Sequence, residues 1–403
     1  YIDEYEKILV CIDYWNMVYQ REDIKRQFFS TETTFLLKGW IREKDIPNLM
    51  ELTKKFKEIH INVTPPTKDE TPPVALENPG LVSPFEMVTK LFGVPGKGEP
   101  DPTPLLAPFF ALFFGICLTD AGYGLVLLLL SYIIMKKFRE NEGTQKLMKI
   151  LIISGAVTVL VGALTGGWFG IDFEKLPPMF RTIKNIRDKL VILEPLKNPL
   201  ALFATTLALG VLQVLTGIVI KFVMLIKQRN YYEAFTSPFA WFLIVTGIIS
   251  AMLLKKTILW LIPCLGALII LLFSARSGNI IVRLLKGAYS LYGITGIFGD
   301  VLSYSRLFAL ALSTGVIALV INVVVGILYQ MIVSVPYIGV PIAILFGLII
   351  LVFGHIFNIV INSLGGFIHT TRLQFVEYFG KFYEGSGTEF KPFKQEFKYV
   401  KLS

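Results

Sequence analysis

The amino-acid sequence predicts a mostly α-helical, polytopic membrane protein of about eight membrane helices, the last two long and tilted, with a partial cytosolic arm of α/β and coiled-coil character. Three observations predict it. Hydrophobic residues make up 54% of the 403 residues, above the ~45–50% of soluble domains, and several apolar runs reach the ~20 residues that cross a bilayer. Charge is unevenly divided: residues 1–104 hold 13 of the 39 Lys and Arg and 17 of the 30 Asp and Glu, so the front is acidic and the remainder strongly basic. Arg306 is followed by 22 residues without an ionisable side chain, up to Tyr329, and a guanidinium set against hydrocarbon persists mainly where it has a task.

The front part comes first. The chain opens at Tyr1 with neither an initiator Met nor a signal peptide, and it is read as the later part of a longer protein. Ile8, Cys11, Ile12, Trp15, Val18 and Tyr19 recur at three and four spacing, which predicts an amphipathic or coiled-coil helix over residues 2–29. A strand over 34–41, a helix over 44–58 with Asp45 as its cap, and a strand over 59–63 then predict a small βαβ lobe that closes the arm at residue 64. Residues 65–104, with Pro65-Pro66, Pro72-Pro73, Gly93, Pro95, Gly96 and Gly98, read as a linker holding one short helix over 84–92. Asn62-Val63-Thr64 fits a glycosylation sequon and residues 93–98 are loosely glycine-rich. A cytosolic location for this lobe argues against the first, and the absence of a strand-turn-helix context argues against a phosphate loop in the second.

The membrane domain is predicted over residues 105–380. Its first apolar stretch, 105–135, would measure about 46 Å as a straight helix, too long for one ~30 Å hydrocarbon core and too short for two crossings. Asp120-Ala121-Gly122-Tyr123-Gly124 lies in its middle. A broken helical hairpin is therefore expected, packed against other helices because lipid tolerates no broken backbone. Further spans are expected at 150–169, 200–226, 239–254, 258–273, 299–333 and 338–379, which with the hairpin counted twice makes eight and puts both termini on one side. The loop 136–149 carries five basic and two acidic residues, as a cytosolic loop should, and the loops 227–233 and 276–286 fall on the same side. Loop 171–198 is the exception, outside in this scheme yet with six basic and four acidic residues. Residues 381–403 are read as a cytosolic tail. The basic excess is a positive-inside signal rather than a nucleic-acid surface, since no basic stripe interleaved with aromatics occurs. Cys11, Cys117 and Cys264 have no ligand-like spacing and read as small hydrophobes.

The last two spans carry the chemistry. Arg306 and Arg372 each lie about 45 to 54 Å of helix away from the turn near Pro336, so upright helices would push both guanidiniums out of the core. A steeply tilted pair would bring them to mid-membrane. On the last helix His355, Asn358, Asn362, His369 and Arg372 follow at spacings of 3, 4, 7 and 3, which places them within an arc of about 100° over about 26 Å. A lone histidine in such a helix usually has a hydrogen-bonded structural role. Five polar groups on one face point instead to an ion path. Gly365-Gly366 interrupt the stripe and admit either close approach of a partner helix or a kink.

Residues 299–313 (GDVLSYSRLFALALS), 366–393 (GFIHTTRLQFVEYFGKFYEGSGTEFKPF) and 101–124 (DPTPLLAPFFALFFGICLTDAGYG) closely resemble the large membrane stator subunit of archaeal and vacuolar-type rotary ATPases, termed a or I. The resemblance covers essentially the whole chain and points to the archaeal or bacterial form, with the first part of the arm missing. It implies a cytosolic arm followed by eight membrane helices, the last two cradling a rotating proteolipid ring. Peripheral-stalk subunits and a central-stalk adaptor would meet the arm. It implies Arg306 as the essential stator arginine and Arg372 as its companion. By depth, His355, Asn358, Asn362, His369 and Thr314 would line an outer half-channel, and Asp300, Tyr292, Glu377 and Asp120 a cytosolic one. The chain departs from the eukaryotic pattern at Asn362, where a glutamate stands, and at Thr314, where a histidine stands. Asn cannot titrate, so these two positions supply no proton acceptor.

A secondary ion-coupled transporter would also hold charges at mid-membrane, but repeated halves with matching broken helices are its usual mark and only one broken hairpin is present. A mechanical anchor would not need the polar stripe. No nucleotide-binding loop, metal cluster, cofactor motif or nucleophile triad is visible, so ATP chemistry would belong to partner chains. The expected setting is the cell membrane of an archaeon or bacterium, with both termini cytosolic and no nucleic-acid partner.

Overall fold

The computed structural model describes residues 2–26, 28–67, 70–139, 141–174, 177–274, 279–334 and 336–393. The end of the predicted tail and Arg276 in the predicted loop 276–286 lie outside them. Two compact units divide the chain, one of residues 1–75 with 387–403 and one of residues 76–386.

In the first unit, α1 (Ile2–Lys25) is the helix predicted from its apolar spacing. The βαβ expectation is corrected. The described strands are only β1 (Phe29–Ser30) and β2 (Phe35–Leu36), antiparallel with Phe29 opposite Leu36. Thr31 and Thr34 close the turn through their hydroxyls, 2.7 Å apart. The helix after them is α2 (Ile46–Thr53), and Asp45 does not cap it with its side chain. That carboxylate instead accepts from Arg42 Nε at 2.6 Å. Residues 59–63 join no ladder. Among the described residues of this unit, a parallel backbone bridge joins Val74 to Glu389, with Val74 N donating to Thr388 O at 2.8 Å. Outside the helices, Glu70 accepts from the backbone of Thr67 and from Lys38, and these bonds hold its carboxyl well below the usual range, at about 2.

The second unit is helical. A 3-10 turn (Ser83–Phe85) runs into α3 (Glu86–Phe92), matching the predicted short helix. Residues 76–104 of the Pro/Gly-rich stretch belong to this unit: Asn78 Nδ2 donates to Glu86 and Asp101, and Tyr383 OH donates to Gly93 O at 2.7 Å. The broken hairpin is present as α4 (Thr103–Leu118) and α5 (Ala121–Lys137). Thr119 takes a left-handed φ of 45° and Asp120 caps α5, accepting from Tyr123 N at 3.0 Å. The arms pack little on each other. Both lie against α6 (Glu142–Thr165), which runs between them. Small residues permit this: a Cβ on Gly162 would stand 2.1 Å from Ala121 N, and one on Gly124 would stand 2.7 Å from Val159 N.

After α6 come α7 (Arg181–Leu190) and α8 (Pro199–Lys227), then α9 (Tyr231–Ala234), which continues through a π-turn at Phe235–Phe239 into α10 (Ala240–Leu254). Pro238 lies in that turn, where its missing N–H would otherwise break an α-helical bond. α11 (Leu261–Phe273), α12 (Ile280–Leu291) and α13 (Ile294–Ser303) lead to α14 (Ser305–Val333) and α15 (Gly339–Arg372), which is followed by a π-turn at Leu373–Tyr378. Among the described residues, five helical stretches are long and apolar enough to cross a membrane: Glu142–Thr165, Pro199–Lys227, Tyr231–Leu254, Ile280–Val333 and Gly339–Lys381. Shorter apolar helices occupy Thr103–Leu118 and Thr257–Phe273. The chain is a polytopic membrane protein.

The basic loop 171–198 has a local explanation. Arg187 pairs with Glu194 at 2.7 Å and Asp188 at 3.0 Å, and Lys197 pairs with Glu174 at 2.8 Å and Glu194 at 3.0 Å. Much of the charge that conflicts with the positive-inside pattern is therefore neutralised within the loop. The same contacts lower the Glu174 carboxyl and raise the Lys197 ammonium, each chiefly through the hydrogen bond between them.

Candidate functional site

Two polar clusters lie along α14 and α15, separated by apolar packing. The first joins three helices. Tyr123 on α5 places its hydroxyl 2.6 Å from His355 Nδ1 and 2.8 Å from Asn358 Nδ2, both on α15. His355 Nε2 stands 3.2 Å from Asn322 Oδ1 on α14, and Asn322 Nδ2 donates to Phe169 O at 2.7 Å. Asn358 Nδ2 also reaches Thr314 O at 3.2 Å, and Asn362 Nδ2 donates to Asn358. Hydrogen-bond sense then follows by elimination. Phe169 O can only accept, so Asn322 turns its Nδ2 there and presents Oδ1 to His355 Nε2, which therefore donates. With the imidazole proton on Nε2 alone, Nδ1 accepts from the Tyr123 hydroxyl, whose oxygen in turn accepts from Asn358 Nδ2. The chain runs one way, from Asn362 through Asn358, Tyr123 and His355 to Asn322 and Phe169 O.

The second cluster surrounds the arginines. Arg306 is the second residue of α14 and half-buried, and its Nη1 has no hydrogen-bond partner. Among the described residues no carboxylate lies within ion-pair distance of it. Arg372 ends α15 and is exposed. His369 and Glu377 each lie in the electrostatic field of both guanidiniums. Glu377 is buried with one carboxylate oxygen unbonded, and the His369 Nδ1, Thr370 hydroxyl and Tyr378 hydroxyl are likewise buried without partners. At the edge of this cluster Asp300 is ion-paired with Lys381.

The structure brings His355, Asn358 and Asn362 together, and Thr314 joins them through its backbone carbonyl while its hydroxyl donates to Cys117 O at 3.1 Å. It gathers Arg306, His369, Arg372 and Glu377 at the other cluster, with Asp300 nearby. His369 thus sits with the arginines and not with the asparagines. Asp120 is also relocated: it caps the hairpin tip, where backbone N–H groups of Tyr123, Phe169 and Gly170 surround it, on the Tyr123 side of the site. Tyr292 is exposed and joins neither cluster among the described residues. Gly366 serves close approach, since a Cβ there would stand 3.3 Å from Leu118 on α4, and α15 continues through it as helix. Sequence reasoning missed Tyr123 and Asn322, and it missed Gln213 and Gln374, which bond each other at 2.7 Å. Asn322 and Gln213 are single polar side chains in apolar runs, a visible signal but one that names no partner, whereas Tyr123 and Gln374 stand close to Asp120 and to Arg372 and are overshadowed by them.

Fold and site define a polytopic membrane protein that keeps paired guanidiniums at the ends of its last two long helices. Residues 295–395 match the V-type ATPase 116kDa subunit family. The chain is similar to A-type ATP synthase subunit I of Methanocaldococcus jannaschii, at 34% identity over 98% of this chain and 60% of the relative. It is similar as well to the subunits I of Thermococcus kodakarensis (37%, covering 92% of this chain and 56% of the relative) and Pyrococcus horikoshii (37%, covering 90% and 54%). The chain belongs to the subunit I family of A-type and V-type ATP synthases. It spans somewhat more than half the length of these relatives.

Proposed function

We propose that this chain is the stator subunit of a rotary ion-translocating ATPase, in which Arg306 meets carboxylates carried past it by a proteolipid ring. The observation that carries this reading is the half-buried Arg306 guanidinium, set beside an apolar helix with no acidic partner among the described residues and one buried nitrogen unbonded. An uncompensated charge in such a place is expensive unless a partner arrives. A rotor carboxylate facing lipid must be protonated or cation-loaded. Beside a guanidinium, which stays charged at every working pH, it ionises and releases its ion. One fixed arginine thereby separates loading from unloading.

Two half-channels fit the two clusters. The Tyr123–His355–Asn322 cluster with Asn358 and Asn362 lines the outer one, and Glu377 with Asp300 marks the cytosolic one. The asparagines act there by solvating and orienting, since their amides do not titrate. Counting α4, α5 and α11 with the five longer spans gives eight crossings and cytosolic termini, in a cell membrane. Tilt of α14 and α15, whose 29 and 34 residues exceed a ~30 Å core, brings the arginines toward mid-membrane. ATP chemistry lies in partner chains, with peripheral-stalk subunits and a central-stalk adaptor meeting the arm. The test is Arg306→Ala in the assembled complex reconstituted in vesicles: ATP-driven ion uptake is expected to fall at least ~100-fold with subunit composition unchanged. Normal uptake would refute the assignment.

A further inference from the structure

Three fully buried side chains from three elements meet beside the arginines. Tyr304, in the one-residue break between α13 and α14, donates its hydroxyl to Gln213 Oε1 at 2.7 Å. Gln213, in the middle of α8, donates its Nε2 to Gln374 Oε1 at 2.7 Å, and Gln374 is the second residue of the π-turn after α15. All three are 0% exposed. Nothing in the ion path so far described uses them. Their positions along the chain are telling: Tyr304 stands two residues before Arg306, and Gln374 two residues after Arg372.

The two arginines repel each other, and among the described residues no carboxylate pairs with Arg306 to hold it. The Tyr304–Gln213–Gln374 chain supplies a tie instead. α8 is shaped for it: Gly210 leaves room for the Tyr304 ring, whose atoms would stand 2.5 Å from a Cβ there, and Tyr304 also packs edge-on against Phe113 of α4 with ring centroids 5.6 Å apart. Both hydrogen bonds are directional and shielded from water, so they define position more sharply than apolar contact alone. An amide between two partners transmits geometry without titrating, so the tie adds no ionisable group between the two clusters.

We propose that Tyr304, Gln213 and Gln374 are positioning residues that fasten both arginine-bearing elements to α8 and so set the separation of Arg306 and Arg372. This rests on the stator reading above. The experiment compares the intact complex with Tyr304→Phe, Gln374→Leu and the double variant, reconstituted in vesicles, reading ions moved per ATP hydrolysed at equal amounts of assembled complex. Because one broken link disables the whole tie, each single variant is expected to lower that ratio about threefold and the double variant no further. An unchanged ratio, or losses that multiply in the double variant, would overturn the proposal.

A second measurement does not depend on transport. Spin labels placed at exposed Leu302 and Val376, with Cys11 and Cys264 replaced by Ser, report the distance between the two elements by pulsed electron resonance. The distribution is expected to be narrow in the parent and broad with Tyr304→Phe; equal widths would overturn the proposal. Should Tyr304→Phe not assemble, Gln374→Asn, which keeps the amide but shortens its reach, is read in the same two ways. Arg306→Ala run in parallel separates the levels: if it retains coupled transport the stator reading fails, whereas if it alone loses transport only the positioning role fails.

Discussion

The two polar clusters of α14 and α15 are built on opposite plans. Around His355 the amide and hydroxyl groups answer one another, and the direction of each bond follows from its neighbour. Around Arg306 the buried nitrogens and oxygens of Arg306, His369, Thr370, Glu377 and Tyr378 stand without partners. A saturated network stabilises a fixed arrangement. Buried groups left open are costly in a chain considered alone and mark the place where water or another protein completes them. Under the proposed stator reading the contrast divides the work: the His355 cluster holds α5, α14 and α15 in register along the outer half-channel, and the arginine cluster meets what moves past.

Substitutions can break this contrast. Arg306→Ala should produce the largest effect on transport and almost none on the thermal midpoint of the solubilised complex, since it removes no bond that holds this chain together. A marked drop in that midpoint would mean that the guanidinium is structural. Tyr123→Phe should do the reverse. It strips the Asn358 amide of an acceptor and His355 Nδ1 of a donor, a loss of about 1–3 kcal/mol, seen as a lower midpoint with transport reduced only severalfold.

Legibility from sequence followed the same divide. Arg306, Arg372 and the stripe from His355 could be read directly because charged and amide side chains are conspicuous in long apolar runs. The hairpin break could be placed at Asp120 from length and glycines, yet the position of α6 between the arms could not, because it depends on which small residues face each other across different helices. Tyr123, Asn322, Gln213 and Gln374 were illegible as partners for that reason: their bonds cross between elements up to 235 residues apart. That His369 stands beside the arginines and Asp120 at the hairpin tip beside Tyr123 was not legible, because depth counted along a helix ignores rotation and the end from which a neighbour approaches. The βαβ reading failed where two short apolar alternations found no sheet to join, leaving only the hairpin at Phe29–Leu36.

Smaller effects sharpen the picture. Lys381→Met leaves Asp300, at the border of the arginine cluster, without its cation; both side chains are about one-fifth exposed, so a loss of about 1 kcal/mol is expected, measurable as a slight shift in the midpoint. In the first unit, Glu70→Gln should leave the midpoint at pH 7 unmoved, because the pair with Lys38 is solvent-exposed. The Glu70 carboxyl is depressed from 4.5 to about 2, so whatever it contributes is present above the upper value and fades as pH falls toward the lower. Any difference between parent and Glu70→Gln should shrink over that window, which an acid titration of the midpoint checks.

The central claim is that the open face of α14 beside Arg306 meets a rotating ring. Ala309, exposed one turn beyond Arg306, gives the most direct test as Ala309→Cys in the intact complex with Cys11 and Cys264 replaced by Ser. Mild oxidation in the presence of single-cysteine ring variants should yield a disulfide to a small proteolipid, stop ATP-driven ion uptake, and release both on reduction. A cysteine that reacts with soluble maleimide yet forms no adduct with any proteolipid would contradict the account.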